Sequence, residues 1–232
     1  MANPLTSAPS AAPKGETTTE EPGRAARAIG RRAAEIRATV PDLELGRDVD
    51  ASAALALARQ EGVSVTATLV HACATALREH PWANAAYRDA RWERYSRVNV
   101  GVTVQAGESQ LIVAVLDADT KTGAELTAEI ARLAERAREG RLTPPEQAGT
   151  TFTLSDMGEQ PGAHRWSALV IAPQAAALTA GAPRPAPVVR DGEVVAGELM
   201  SLTLAVDHRI LYGARAAALL QRISELVEVP DR

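Results

Sequence analysis

Cysteine is nearly absent: Cys73 is the only one in 232 residues. No disulfide can close within the chain, and thiol usage of this kind predicts a cytoplasmic protein. Cys73 sits in the apolar run Leu69-Val70-His71-Ala72-Cys73-Ala74 and reads as a small buried hydrophobe. Aromatics are also scarce, at 3% of the chain, too few for a base-stacking surface. The net charge of -4 supplies no cationic field, so no nucleic-acid partner is expected. No apolar run approaches the roughly 18 residues that cross a bilayer, and the N-terminus lacks the charged start and apolar stretch of a secretory signal. No membrane partner is expected either. The four histidines and one cysteine show no metal-ligand spacing, so no metal is expected.

What is present is a chain long enough for one large domain. Residues 1–23 are Pro, Ser, Thr, Ala and Glu with almost no large apolar side chain, which predicts a disordered tail. Residues 24–232 read as a single mixed α/β domain with no internal repeat. Helices are expected over 24–38, 51–60, 65–80, 122–139 and 215–229, and strands over 42–50, 98–105, 111–116, 150–154, 169–171, 175–179, 188–190 and 199–206. Ala106-Gly107-Glu108 and Arg190-Asp191-Gly192-Glu193 mark tight turns.

The most informative run is Ala205-Val206-Asp207-His208-Arg209-Ile210-Leu211-Tyr212-Gly213-Ala214. It puts one imidazole between opposite charges at a strand end, just before a helix of small residues. Such a histidine is either a general base near neutral pH or a structural side chain held by its neighbours. A base acting on an acyl group needs a donor for the developing oxyanion. Ser155, in Thr151-Phe152-Thr153-Leu154-Ser155-Asp156-Met157-Gly158, is a candidate donor; the alternative is a capping serine. It lacks the Gly-x-Ser-x-Gly elbow of a nucleophile. These residues alone define no more than an α/β domain.

From Arg24 onward the chain resembles the catalytic domain of the 2-oxoacid dehydrogenase acyltransferases (E2), whose fold is that of chloramphenicol acetyltransferase. The resemblance runs in order through the basic segment Arg24–Arg32, Arg47-Asp48-Val49-Asp50, Asn99–Val104, Leu111–Val115 (with Ala114 where proline is usual), Ala134–Leu142, Gly149–Gly158, Ala172–Leu178 and Asp207-His208-Arg209. It implies a mixed sheet with flanking helices in a homotrimer. It also implies that His208 takes the acceptor's proton while Ser155 of a neighbouring subunit hydrogen-bonds the oxyanion. Asp207, Arg209 and Gly213 would be structural at the site. Acyl-CoA would be the co-substrate, with CoA and acceptor entering a channel from opposite ends and no covalent acyl-enzyme.

Three departures shape the expectation. Tyr212 stands where the family carries Asp or Asn, a residue that in relatives pairs with a first-helix arginine and braces the histidine loop. The 23 residues before the first helix are too few and too polar for a lipoyl domain. The end Leu226-Val227-Glu228-Val229-Pro230-Asp231-Arg232 lacks the apolar tail that docks trimers into larger cores, which predicts an isolated trimer. The expected enzyme therefore moves an acetyl group from acetyl-CoA to a hydroxyl of a small-molecule acceptor, such as a tetronate polyketide intermediate. Its alternatives are a dihydrolipoamide S-acyltransferase and a catalytically inactive trimeric scaffold. His164 and Trp166, in the loop after Ser155, are candidates for the acceptor pocket; His71 reads as a core histidine and His80 as a helix-end residue.

Overall fold

The structure is a computed structural model that describes residues 18–107, 109–158, 162–190 and 192–230. Residues 1–17 of the expected tail, Glu108, Glu159 to Pro161, Asp191 of the expected turn, and the terminal Asp231-Arg232 lie outside the described residues. Contacts divide the chain into two units, residues 1–35 and 36–232. The boundary falls inside the first helix, α1 (Arg24–Thr39). The physical reason is visible in burial: residues 26–35 are exposed apart from a half-buried Ala33, whereas Ile36 and Val40 are buried. In the first unit Arg27 pairs with Glu21, and Arg32 with Glu35.

The second unit is built on a seven-stranded mixed sheet in the order β1-β9-β7-β6-β4-β5, with β8 pairing on β9. Its strands are β1 (Asp42–Asp50), β4 (Val100–Ala106), β5 (Ser109–Val115), β6 (Phe152–Asp156), β7 (Ala176–Ala180), β8 (Arg184–Arg190) and β9 (Glu193–Asp207). A separate hairpin joins β2 (Ala85–Arg88) and β3 (Arg91–Arg94). The helices are α2 (Ser52–Glu61), α3 (Val65–Glu79), α4 (Gly123–Arg138), α5 (Pro144–Ala148) and α6 (Gly213–Glu228). Strands β4, β6 and β7 are parallel and the remaining pairs antiparallel.

Paired residues on neighbouring strands share a face, and faces alternate along each strand. The row Leu45–Leu204–Leu178–Leu154–Val102–Val113 therefore points one way. It meets α3, α4 and α6 in the main core. Helix α3 is the centre of that core: Ser64 caps its start by accepting from the Ala67 N–H at 3.1 Å, and Leu69, Ala72, Cys73 and Leu77 are buried. Burying each large aliphatic side chain here contributes about 1.5–3 kcal/mol.

The opposite face is small and hydroxylic. One row along it is Thr203–Thr179–Ser155, and Thr103 of β4 extends it; the row before it holds Ala205, Ala177, Thr153 and Gly101. The segment expected to be a strand at 169–171 is not one. Both edges of β7 are already taken, by β6 and β9, so Leu169, Val170 and Ile171 pack over this face with Ile36, Val40 and Ala205 instead. The other expected strands and helices stand within a few residues of expectation, except that β9 begins six residues earlier than expected and β8 four, while β2, β3 and α5 were not expected.

Candidate active site

His208 is the first residue beyond β9. The turn that carries it is made almost wholly from its own neighbours. Asp207 is buried, and its carboxylate accepts the Arg209 backbone N–H at 3.0 Å and the Arg209 guanidinium at 2.9 and 2.6 Å. That carboxylate raises the Arg209 pKa above its ordinary value. The Asp207 carbonyl accepts from Ile210 and Leu211, closing the turn, and the His208 N–H donates to the Pro41 carbonyl at 2.9 Å.

The β2–β3 hairpin holds the turn from outside. The Arg209 guanidinium lies 4.2 Å from the centre of the Tyr87 ring, and the Trp92 indole donates to the Arg209 carbonyl at 3.0 Å. Tyr87 and Trp92 face each other across the hairpin. The His208 side chain is exposed, and its ring meets the Tyr212 ring edge-on, with centroids 5.4 Å apart. Among the described residues no side chain hydrogen-bonds the imidazole.

Tyr212 occupies the N-cap of α6 and makes no side-chain cap there, whereas Asp or Asn at that position would supply one. Gly213 begins the helix with open space where a Cβ would stand, so no contact among the described residues requires glycine there.

Ser155 is the penultimate residue of β6, two residues deeper into a strand than the expected 150–154 would place it. It is buried, and its Oγ lies 2.8 Å from the Thr103 Oγ1. Both hydroxyls line a cavity of about 250 Å³, together with Thr66, Asp156, Trp166 and Arg138. Asp156 is fixed beside them by the Thr66 hydroxyl at 2.7 Å and the Gly158 N–H at 2.8 Å.

Of the two loop residues singled out from the sequence, Trp166 lines this cavity and donates to the Ala180 carbonyl at 3.4 Å. His164 does not line it; a ring nitrogen contacts the Ala182 carbonyl at 3.1 Å. The loop lies close on β7 because residue 181 is glycine: a Cβ there would collide with the His164 carbonyl.

Within one chain Ser155 and His208 are far apart. Ser155 shares its row with Thr203 of β9, and His208 lies five residues further along. At the usual strand rise that is roughly 16 Å along the sheet, plus roughly 10 Å across two strand spacings. Because β9 runs against β6, the C-terminal ends of these two strands are opposite ends of the sheet.

A recess of about 540 Å³ opens near the histidine end, lined by Arg88, Arg97, Asn99, Thr150 and Gln174, but not by His208. His71 is half-buried on α3, His80 packs edge-on against Trp82, and burial raises the Cys73 thiol pKa. Among the described residues no three His, Cys, Asp or Glu side chains cluster as a metal site. Thr103 and the clamp by Tyr87 and Trp92 were not singled out from the sequence. Threonine alternating with valine in Val100–Val104 is the one signal that could have marked Thr103.

The fold is a mixed sheet with Ser155 and His208 at opposite ends. The profile of the 2-oxoacid dehydrogenases acyltransferase (catalytic domain) matches residues 14–232, and the chain belongs to this family. It is 34% identical over 214 residues to the dihydrolipoyllysine-residue acetyltransferase component of the pyruvate dehydrogenase complex of Zymomonas mobilis, covering 88% of this chain and 48% of that protein. The Bacillus subtilis counterpart is 32% identical over 234 residues, covering 95% and 52%. The chain thus spans about half the length of these curated relatives.

Among solved structures, the dihydrolipoamide acetyltransferase of Azotobacter vinelandii superposes with a TM-score of 0.84 at 27% identity, covering 93% of each chain. A serine, a histidine and an asparagine of that enzyme have been investigated for their roles in its catalytic mechanism. The first two are 52 residues apart, and the asparagine is four after the histidine. Chloramphenicol acetyltransferase shares the fold, with a TM-score of 0.54 at 14% identity over 85% of this chain and 94% of that one.

Proposed function

We propose that residues 24–232 are the catalytic unit of an acyltransferase that passes an acetyl group between CoA and the thiol of a dihydrolipoyl group. The unit would work as a homotrimer in which each site joins His208 of one copy to Ser155 of the next. One observation carries this reading: the two residues stand at opposite ends of one sheet, so neither can complete a site with the other inside a single chain. A closed ring of copies brings unlike ends together at every interface. The Azotobacter enzyme supports the pairing. Ser155 and His208 are 53 residues apart, close to the spacing there, and Tyr212 is four after the histidine, where that enzyme has its asparagine.

In the forward direction His208 removes the proton of the attacking thiol. The thiolate forms a C–S bond to the thioester carbonyl, and the negative charge that develops on oxygen is met by the Ser155 hydroxyl. When the tetrahedral intermediate collapses, the C–S bond to the leaving thiol breaks and that sulfur takes the proton back from His208. The Asp207–Arg209 pair fixes the turn under the imidazole. Tyr212 limits the ring's swing by its edge contact.

The thiol acceptor replaces the small-molecule alcohol, and with it the tetronate intermediate, expected from the sequence. The relatives above are acetyltransferases named for dihydrolipoyl groups, and nothing in the comparisons favours an alcohol. A scaffold without turnover is the second reading, favoured by Tyr212 in place of a capping residue.

CoA release from acetyl-CoA, with dihydrolipoamide or a hydroxymethyl tetronate offered separately, decides among these. The proposal expects release with the thiol, lost in His208→Ala. Release with the alcohol alone overturns the acceptor, and no release with either supports the scaffold.

A further inference from the structure

We propose that Thr103 is a positioning residue for Ser155: its hydroxyl donates to the Ser155 Oγ, so that the Ser155 proton stays free for the oxyanion. The inference rests on the reading of Ser155 as the oxyanion donor and adds the group that aims it.

The two oxygens are 2.8 Å apart and face the same cavity. Two neighbouring hydroxyls of this sheet face are committed elsewhere. Thr179 donates to the Trp166 carbonyl at 2.6 Å, and Thr153 donates to the Gln174 side chain at 2.8 Å. Among the described residues, neither Ser155 nor Thr103 has a second hydrogen-bond partner.

Two hydroxyls sharing one hydrogen bond hold two protons, and one is left over. If Ser155 donated, its proton would be spent on Thr103, and reaching an oxyanion would break the bond. If Thr103 donates, Ser155 gives up nothing, and accepting a hydrogen bond strengthens its own O–H as a donor. Side-chain stiffness favours the second arrangement. Threonine is β-branched, which restricts its χ1, and it sits on a strand whose neighbours, Val102 and Val104, are buried. Serine turns freely and takes its direction from the fixed partner. The pair also keeps Ser155 from turning back against its own strand before substrate arrives.

The test is a double-mutant cycle on the intact enzyme, with acetyl transfer from acetyl-CoA to dihydrolipoamide as readout. Thr103→Val keeps the shape and removes the hydroxyl. It is expected to lower kcat about tenfold, the effect of one lost hydrogen bond, with both KM values within about twofold. Thr103→Ser restores the hydroxyl and is expected to restore kcat to within about twofold of wild type. In the Ser155→Ala background, Thr103→Val is expected to change nothing further. Wild-type kcat in Thr103→Val, or the same tenfold loss with and without Ser155, overturns the positioning role. If Ser155→Ala itself keeps full kcat, or the wild type does not turn over, the underlying functional reading fails instead. A melting temperature of Thr103→Val well below that of Thr103→Ser, with a loss of kcat that persists in the Ser155→Ala background, assigns the residue to packing alone.

Discussion

The two ends of the sheet solve different problems. At one end Ser155 is a buried neutral hydroxyl, set by strand register and one neighbouring hydroxyl, beside a small cavity. At the other end His208 is exposed, on a turn tied by an ion pair, three backbone hydrogen bonds and an aromatic clamp. The serine needs little beyond the sheet, because period-two alternation already aims it at the hydroxylic face. The histidine has left the sheet and needs dedicated groups to hold its backbone. Under the proposed mechanism, a substitution near Ser155 should act on charge stabilisation, whereas one near His208 should act on placement of the base.

On the proposed mechanism the largest effects belong to His208 and Ser155. His208→Ala is expected to lower kcat about 10²–10⁴-fold, the range for a general base, and Ser155→Ala about 10²–10³-fold, the range for an oxyanion donor. Both should leave the melting temperature close to wild type; steady-state kinetics and calorimetry check them together. Asp207→Ala tests whether the ion pair is what fixes the histidine turn. Removing the buried carboxylate leaves the guanidinium without its partner, an expected loss of about 2–4 kcal/mol in a denaturant titration, with a fall in kcat. The equivalent disturbance at the serine end, Asp156→Asn, is expected to leave the histidine turn untouched.

A smaller effect is expected outside both ends. Glu146 accepts from the Thr143 N–H at 2.7 Å and binds Arg132 and Arg136, joining α5 to α4. The Thr143 backbone bond first, then Arg132, the Thr143 side chain and Arg136, lower its pKa from 4.5 to about 2 against the opposing effect of burial. A carboxylate lowered on folding contributes its stability above the unfolded value and loses it as pH falls through the folded one. The melting temperature of the wild type should therefore drop between about pH 4.5 and pH 2 more steeply than that of Glu146→Gln. Parallel curves would remove Glu146 from the account. The smallest change is Tyr212→Asn. A cap restored to α6 should stabilise by about 0.5–1 kcal/mol, and the accompanying change in kcat measures what the tyrosine ring does for His208.

Most of the framework was legible from period and punctuation. The strand 42–50 and the helices around 65–80 and 122–139 stand nearly as read, since Leu43, Leu45 and Val49 alternate at strand spacing and buried apolar residues such as Leu69, Cys73 and Leu77 or Leu126 and Leu133 repeat at helix spacing. The β2–β3 hairpin was not legible because its turn is Asp89-Ala90, both at positive φ (48° and 59°) without the glycine or asparagine that usually marks such a turn. Helix α5 has only five residues, too short to show a period. The apolar run 169–171 carries β-branched residues like a strand, yet it lies over the sheet because no free edge of β7 remains. Ser155 and His208 could be named from their neighbourhoods. Their separation could not, since it depends on the antiparallel pairing of β9 with β7, a long-range fact.

The central claim is that each site is shared between copies, and mixing two inactive variants tests it most directly. His208→Ala keeps its serine and Ser155→Ala keeps its histidine. Trimers assembled from an equal mixture would be mixed about three times in four, and each mixed ring would hold one intact pairing out of three. The account predicts that co-expressed variants recover about a quarter of wild-type CoA release, while each alone stays near background. No recovery in a mixture shown to contain both chains in one oligomer would contradict it.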